Sequence, residues 1–409
     1  MRLFYISKNC HESITRFGSG VFFILMVLLL SSAACQPPPT QPSLSSHTST
    51  VIPSRVSPTS TGTPTRVLPT SRPPTTIPTR ILIPTPIPSL IPSTSTIDPP
   101  LTTLLFTGVI VPARCVQAAL DKIGNPDYPY EEVRDVISQA DLAIGVFNAT
   151  MSDRMEHTGC IYTYQLVGSP DNADAIQRSG FDLMNVATNH IKDCGLMKSW
   201  CDDVFQETLQ NFHRVGIPTV GAGVDLEEAL QPVVVTINGV RFGFVALGDS
   251  KQSELVFADQ GRPGIARLTD ENIKNALQAT RKVSDVVIAM PHWGSEDIFI
   301  PNWIQRKQAH QLVAEGADLV IGNHTHVVQA IQEINNVPVF YGLGNFVFDQ
   351  GLRDHRQGVI LVVSFEGKRL VGYKLIPTHV DPDGRVHIAS PEEAAEILAN
   401  IERASQSVR

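Results

Sequence analysis

The stretch Gly316-Ala317-Asp318-Leu319-Val320-Ile321-Gly322-Asn323-His324-Thr325-His326 decides how the folded part of this chain is read. Its middle, Leu319–Ile321, is a short apolar run bounded by turn residues, the pattern of a buried strand. Ahead of it, residues 304–315 have helical character and stop at Gly316, a residue suited to the left-handed conformation that closes a helix. Polar residues follow the strand at once. A helix, a buried strand and a polar strand end make one α/β unit, and in such sheets ligands gather beyond the carboxyl ends of the strands.

The same unit recurs on both sides. Apolar runs at residues 104–107, 142–146, 183–187, 242–247, 286–290, 337–341 and 359–364, with Val233–Ile237, read as further buried strands. Helical segments at 130–140, 200–214 and Asp270–Val283 lie between several of them. Asn238-Gly239 is a type I′ hairpin signal, and Glu366-Gly367 marks a second hairpin, so the predicted sheets mix parallel and antiparallel pairs. Residues 108–114, Thr188-Asn189-His190 and His292-Trp293-Gly294 also follow directly on strands. Together with Asn323-His324-Thr325-His326 they are expected to converge on one site.

That site has the makings of a metal centre. His324 and His326, two residues apart, can direct two imidazoles at one ion; His292 adds a third nitrogen, and Asn189-His190 adds an amide oxygen and another imidazole. Imidazole with amide oxygen suits zinc, manganese or iron, the metals that ready a water or polarise an ester or amide. Asp249, after the 242–247 strand, is read instead as a cap for the following segment. Trp293, Phe346 and Phe348 are read as core, and His310, His355, His379 and His387 carry no motif.

Five strings carry a resemblance to a known family. They are Phe181-Asp-Leu-Met-Asn-Val-Ala-Thr-Asn-His190 with Asp193 and Gly195, Gly216-Ile-Pro-Thr-Val-Gly-Ala-Gly223, His292-Trp-Gly-Ser-Glu296, the string quoted first, and Tyr341-Gly-Leu-Gly-Asn-Phe-Val-Phe-Asp349. In order and spacing the chain resembles the CapA family of bacterial capsule-synthesis proteins over residues 104–377. The resemblance implies a metal-dependent-phosphatase-like α/β fold, a sandwich of mixed β-sheets flanked by helices. It implies metal ligands at Asn189, His292, His324 and His326, His190 as the acid or charge-stabilising partner, and Arg114 as a basic residue able to grip an oxyanion. It also implies acidic ligands after the first two strands, and there the chain departs. Val109 stands at the first position and Asn148 at the second. Valine cannot ligate a metal and Asn148 is a poorer ligand than a carboxylate, so one zinc or manganese ion is expected rather than two. The expected activity is metal-dependent hydrolysis in capsule or surface-polymer synthesis of the poly-γ-glutamate kind. The alternative is a catalytically degenerate module that binds an anionic surface polymer or capsule-export partners.

The N-terminal segment predicts export to the cell envelope. Arg2, Lys8 and Arg16 precede an apolar run at 21–30, too short to span a bilayer but fitting a signal segment, here residues 1–34. Ser32-Ala33-Ala34-Cys35 reads as a lipoprotein cleavage box with the lipid on Cys35, which would anchor the chain on the outer side of a membrane. Residues 35–100 are dominated by Pro, Ser and Thr, which bury too little apolar surface to fold, and read as a disordered spacer reaching on the order of 50 Å as a coil. Residues 101–380 are the CapA-like domain and 381–409 a C-terminal extension holding a solvated helix. Of six cysteines, four lie in the exported domain, where oxidising conditions permit three pairings; Cys194 with Cys201 and Cys115 with Cys160 is the pairing taken here. The whole chain carries a net charge of −8, while the spacer's charges before Asp98 are all arginines, and the expected partners are an anionic surface polymer or capsule-assembly proteins and no nucleic acid.

Overall fold

Every residue from Leu104 to Ile110 is buried because strand Leu101–Ile110 is covered on both faces, and its side chains are accordingly mostly apolar. In the computed structural model, which describes residues 100–194, 201–250 and 253–409, this strand lies inside an eight-stranded sheet. The signal segment, Cys35, the spacer to residue 99, Gly195 and Trp200 lie outside the described residues. On one side run the parallel strands Leu142–Phe147, Leu183–Asn185 and Thr219–Val220. On the other run the antiparallel strands Gln357–Glu366, Arg369–Val380 and Val386–Ile388. Asn345–Val347 joins in parallel at Val109 and Ile110. Its approach requires Gly108, where a Cβ would stand 2.2 Å from the Gly344 carbonyl oxygen.

A second, six-stranded sheet has the order Ile331–Ile334, Val337–Phe340, Leu319–Ile321, Val286–His292, Val240–Gly248, Val233–Ile237. Its inner strands are parallel and each edge is a hairpin. Asn238-Gly239 turns one edge with φ of 51° and 79°, as the hairpin signal required, and Asn335-Asn336 turns the other with 50° and 64°. The two sheets share a core: Phe242 meets Phe365 edge-on at 5.2 Å between ring centroids, and Phe340 meets Tyr373 at 5.0 Å. Asp270–Val283 and Trp303–Ala314 cover the outer face of the second sheet around Trp293 and Tyr341. Helix Asp202–Arg214 sets Phe212 against Phe147 beside the first sheet. The fold is the expected sandwich of mixed sheets flanked by helices.

Two readings change. Residues 130–140 are not one helix but the end of a 3₁₀ turn at Tyr128–Tyr130, with Pro129 in its middle, and a one-turn helix at Arg134–Ile137 that no side chain caps. The C-terminal helix Pro391–Gln406 is not solvated all round. It buries Ile397, Ile401 and Ala404, an i, i+4, i+7 stripe, and Ser405 Oγ accepts from the Ile331 amide at 2.9 Å at the edge of the second sheet. Cys115 is bonded to Cys160 and Cys194 to Cys201.

Candidate functional site

The carboxyl ends of the parallel strands in both sheets point the same set of loops at one another. Asn148 follows Leu142–Phe147, Asn189 and His190 follow Leu183–Asn185, His292 ends Val286–His292, and Asn323 to His326 follow Leu319–Ile321. Hydrogen bonds link them into one network. His190 N–H donates to Asn148 Oδ1 at 2.9 Å, which leaves Asn148 Nδ2 to donate to Asn189 Oδ1 at 3.2 Å. Asn189 Oδ1 in turn faces His292 Nε2 at 2.8 Å.

Side-chain amides settle the tautomers of two histidines. Asn323 Nδ2 donates to the Pro291 carbonyl, so its Oδ1 accepts, and His292 Nδ1 must carry the proton given to it. Asn345 Nδ2 likewise donates to the His355 carbonyl at 2.8 Å, so His326 Nδ1–H donates to Asn345 Oδ1 at 2.9 Å. Both rings are therefore left with a lone pair on Nε2. Burial holds His292 down to about 3 and His326 down to about 4, so both are neutral near pH 7. One consequence is chemical. His292 Nε2 and Asn189 Oδ1, both acceptors, face each other at 2.8 Å, an arrangement that a cation between or beside them would relieve.

His324 completes the group, its ring centroid 4.6 Å from that of His292 and 6.2 Å from that of His326. His324 and His326 hold φ of 104° and 60°, the left-handed region that side chains other than glycine rarely adopt. The turn is held by the Asp297 amide donating to the Thr325 carbonyl at 3.0 Å. It also needs Gly322, where a Cβ would lie 2.3 Å from Trp293 Nε1. His190 pairs through Nδ1 with Asp193 Oδ2 at 2.5 Å and is stacked by Tyr164. A cleft of about 230 Å³ opens over this centre between Asn189, Asp249, Glu296 and His324.

The structure places three further residues of the sequence reading. The Arg114 guanidinium makes a paired contact with Asp349, donates to the Thr163 carbonyl at 3.2 Å and lies under the Tyr162 ring. Asn148 uses both ends of its amide, accepting from the His190 backbone amide and donating to Asn189 Oδ1. Asp249 lines the cleft, its amide bonded to the His292 carbonyl, and the segment expected to be capped by it begins at residues 251–252, outside the described residues. Val109 is fully buried between Val146 and Asn345 in the sheet, an apolar side chain beside the residue that orients His326. Sequence reasoning missed Asn323 and Asn345, although both lie inside the quoted strings, because only their partners make them informative. Among the described residues no three His, Cys, Asp or Glu side chains already surround a metal-sized point. The donors available to an ion here are two or three imidazole nitrogens with the Asn189 oxygen, which fit one ion and not two.

The family model described as "Bacterial capsule synthesis protein PGA_cap" matches residues 103–350, more than half of the chain. The chain belongs to this family. Among curated relatives, the capsule biosynthesis protein CapA of Bacillus anthracis is 27% identical over 255 residues, covering 61% of this chain and 60% of that protein. The PGA biosynthesis protein CapA of Bacillus subtilis is 27% identical over 257 residues, covering 63% and 66%. The chain thus spans about three-fifths to two-thirds of the length of these family members. Among solved structures, a hypothetical protein from Thermus thermophilus is 14% identical with a TM-score of 0.42, covering 68% of this chain and 98% of that one.

Proposed function

We propose that this chain acts in the synthesis or export of a capsule or related surface polymer, as an exported protein held to the outer side of a membrane by lipid on Cys35. The names of its relatives supply the process, and the sequence of residues 1–35 supplies the address. The site, in this reading, holds one zinc or manganese ion on Asn189, His292, His324 and His326. The single observation that carries it is the pair of Nδ1–H tautomers fixed by Asn323 and Asn345, which leave two Nε2 lone pairs beside the Asn189 oxygen. When bound, such an ion supplies Lewis acidity toward a phosphoryl or amide oxygen. His190 keeps Nδ1 on Asp193, so Nε2 is the atom that takes or returns a proton. Asp193 holds that ring in place as the reaction proceeds, and Tyr164 covers its face.

A second reading, favoured by Val109 and Asn148, is a module that binds an anionic polymer or capsule-assembly partners without chemistry. Elemental analysis of the purified full chain, with turnover of a generic phosphodiester, separates the two. The hydrolase reading expects about one equivalent of zinc or manganese and measurable turnover lost on His292→Ala; metal-free, inactive protein sinks it. Activity that appears only in Val109→Asp/Asn148→Glu identifies a degenerate enzyme.

A further inference from the structure

Segment 152–166, between strands Thr150–Met151 and Val167–Gly168, carries a tyrosine that has no place in the core. Tyr162 is 75% exposed, yet its ring is held still. The Arg114 guanidinium carbon lies 4.4 Å from the Tyr162 ring centroid, and Arg114 also donates to the neighbouring Thr163 carbonyl at 3.2 Å. Cys115, next in the chain after Arg114, is bonded to Cys160, two residues before Tyr162. One face of the ring thus rests on Arg114, and the exposure leaves the other open. Tyr162 lines a cavity of about 360 Å³ with Leu352, Glu296, Asp297, Gln350 and His326. That volume falls within the range of small-molecule sites, about 300–1,000 Å³. Glu296 also lines the cleft over the histidine centre, so the cavity adjoins that site. Asp297 is fixed at two points: its amide donates to the Thr325 carbonyl at 3.0 Å, and its Oδ1 lies 2.5 Å from His355 Nε2. Its side chain is still 60% exposed and so within reach of a ligand.

We propose that this cavity binds a neutral pyranose unit of a polysaccharide on the His326 side of the histidine centre. The inference rests on the reading of that centre as a site acting on a surface polymer, and it names the polymer's class. A pyranose ring presents an apolar face of C–H groups and a rim of hydroxyls. The open face of Tyr162 supplies a flat apolar surface for the first, and Leu352, itself exposed, extends it. A ring already fixed on Arg114 loses little conformational freedom when a ligand stacks on it. The hydroxyl rim meets Glu296 and Asp297, whose carboxylates accept charge-assisted hydrogen bonds, and Gln350, whose amide both donates and accepts.

A polyanion such as a glutamyl chain suits the cavity less. Its carboxylates would face those of Glu296 and Asp297, and like charges brought together oppose binding. Among the described residues no lysine or arginine lines the cavity to offset them, because the Arg114 guanidinium beneath Tyr162 is already paired with Asp349. Such a chain also lacks a flat apolar face for the open side of the tyrosine ring.

The test is saturation-transfer NMR on the chelator-treated full chain. The probes are neutral tetrasaccharides of glucose, galactose, mannose and N-acetylglucosamine, with tetra-γ-glutamate as the competing class. At least one tetrasaccharide is expected to receive saturation at its ring C–H protons. Tyr162→Ala should weaken that binding about five- to tenfold, and Tyr162→Phe should retain it. No signal from any of the sugars, or a signal that Tyr162→Ala leaves unchanged, overturns the proposal. Tighter binding of tetra-γ-glutamate than of every sugar overturns it too. Should Tyr162→Ala fail to fold, Leu352→Lys, an exposed position on the same cavity, takes its place with the same loss expected. Binding is read without metal or turnover, so a metal-free, inactive protein would sink the hydrolase reading and leave this result standing.

Discussion

Asn323 and Asn345 never need to touch a ligand, yet they decide what His292 and His326 can do. Each accepts a hydrogen bond from an Nδ1–H, which keeps the proton on Nδ1 and leaves Nε2 bare, the form a metal requires. Replacing either by alanine frees the tautomer and the ring rotation. Asn345→Ala is expected to weaken zinc binding at this centre about 10–100-fold, read by competition with a chromophoric chelator. A pH consequence follows from the same burial. Both imidazoles titrate lower in the folded chain, about 3 and 4, than the ordinary value near 6.5, so between those limits the unfolded chain binds more protons. Their contribution to stability is complete above about pH 6.5 and is lost as pH falls toward 4. In chelator-treated protein the melting temperature should drop across that window, and His292→Gln/His326→Gln should flatten the drop.

At the scale of single elements, the C-terminal helix shows how a polar-looking segment becomes part of the core. Ser390 caps it, with Glu393 returning the bond in a capping box, and Pro391 opens its first turn. Its glutamates suggested a solvated helix, but Ile397 is fully buried and Ile401 nearly so. Ile397→Ala should cost about 2–4 kcal/mol in urea unfolding, and a cost near zero would mean the helix does not dock. Residues 130–140 have helical apolar spacing too, yet only Arg134–Ile137 forms an α-helical turn, and no side chain caps it. The hairpin at Asn238-Gly239 was legible because a type I′ turn demands particular residues at adjacent positions.

Over the whole folded part, the Cys115–Cys160 bond closes a loop of 45 residues, and loss of that closure frees the unfolded chain by about 4 kcal/mol. Cys115→Ala/Cys160→Ala should therefore melt well below wild type without reductant, and the gap should shrink once both are reduced. The sequence by itself determined the alternation of strands and helices, the mixed sheets and the convergence of Asn189, His292, His324 and His326. Those features are local: period, turn chemistry and strand-end position are written in neighbouring residues. Tertiary structure alone decided that Arg114 is turned onto Asp349, that Asn148 donates to Asn189, that Asp249 lines the cleft, and that Tyr162 rests on Arg114. Each of those facts depends on a partner far along the chain or across a sheet, and a hydrogen bond's direction is set only when both ends are in place.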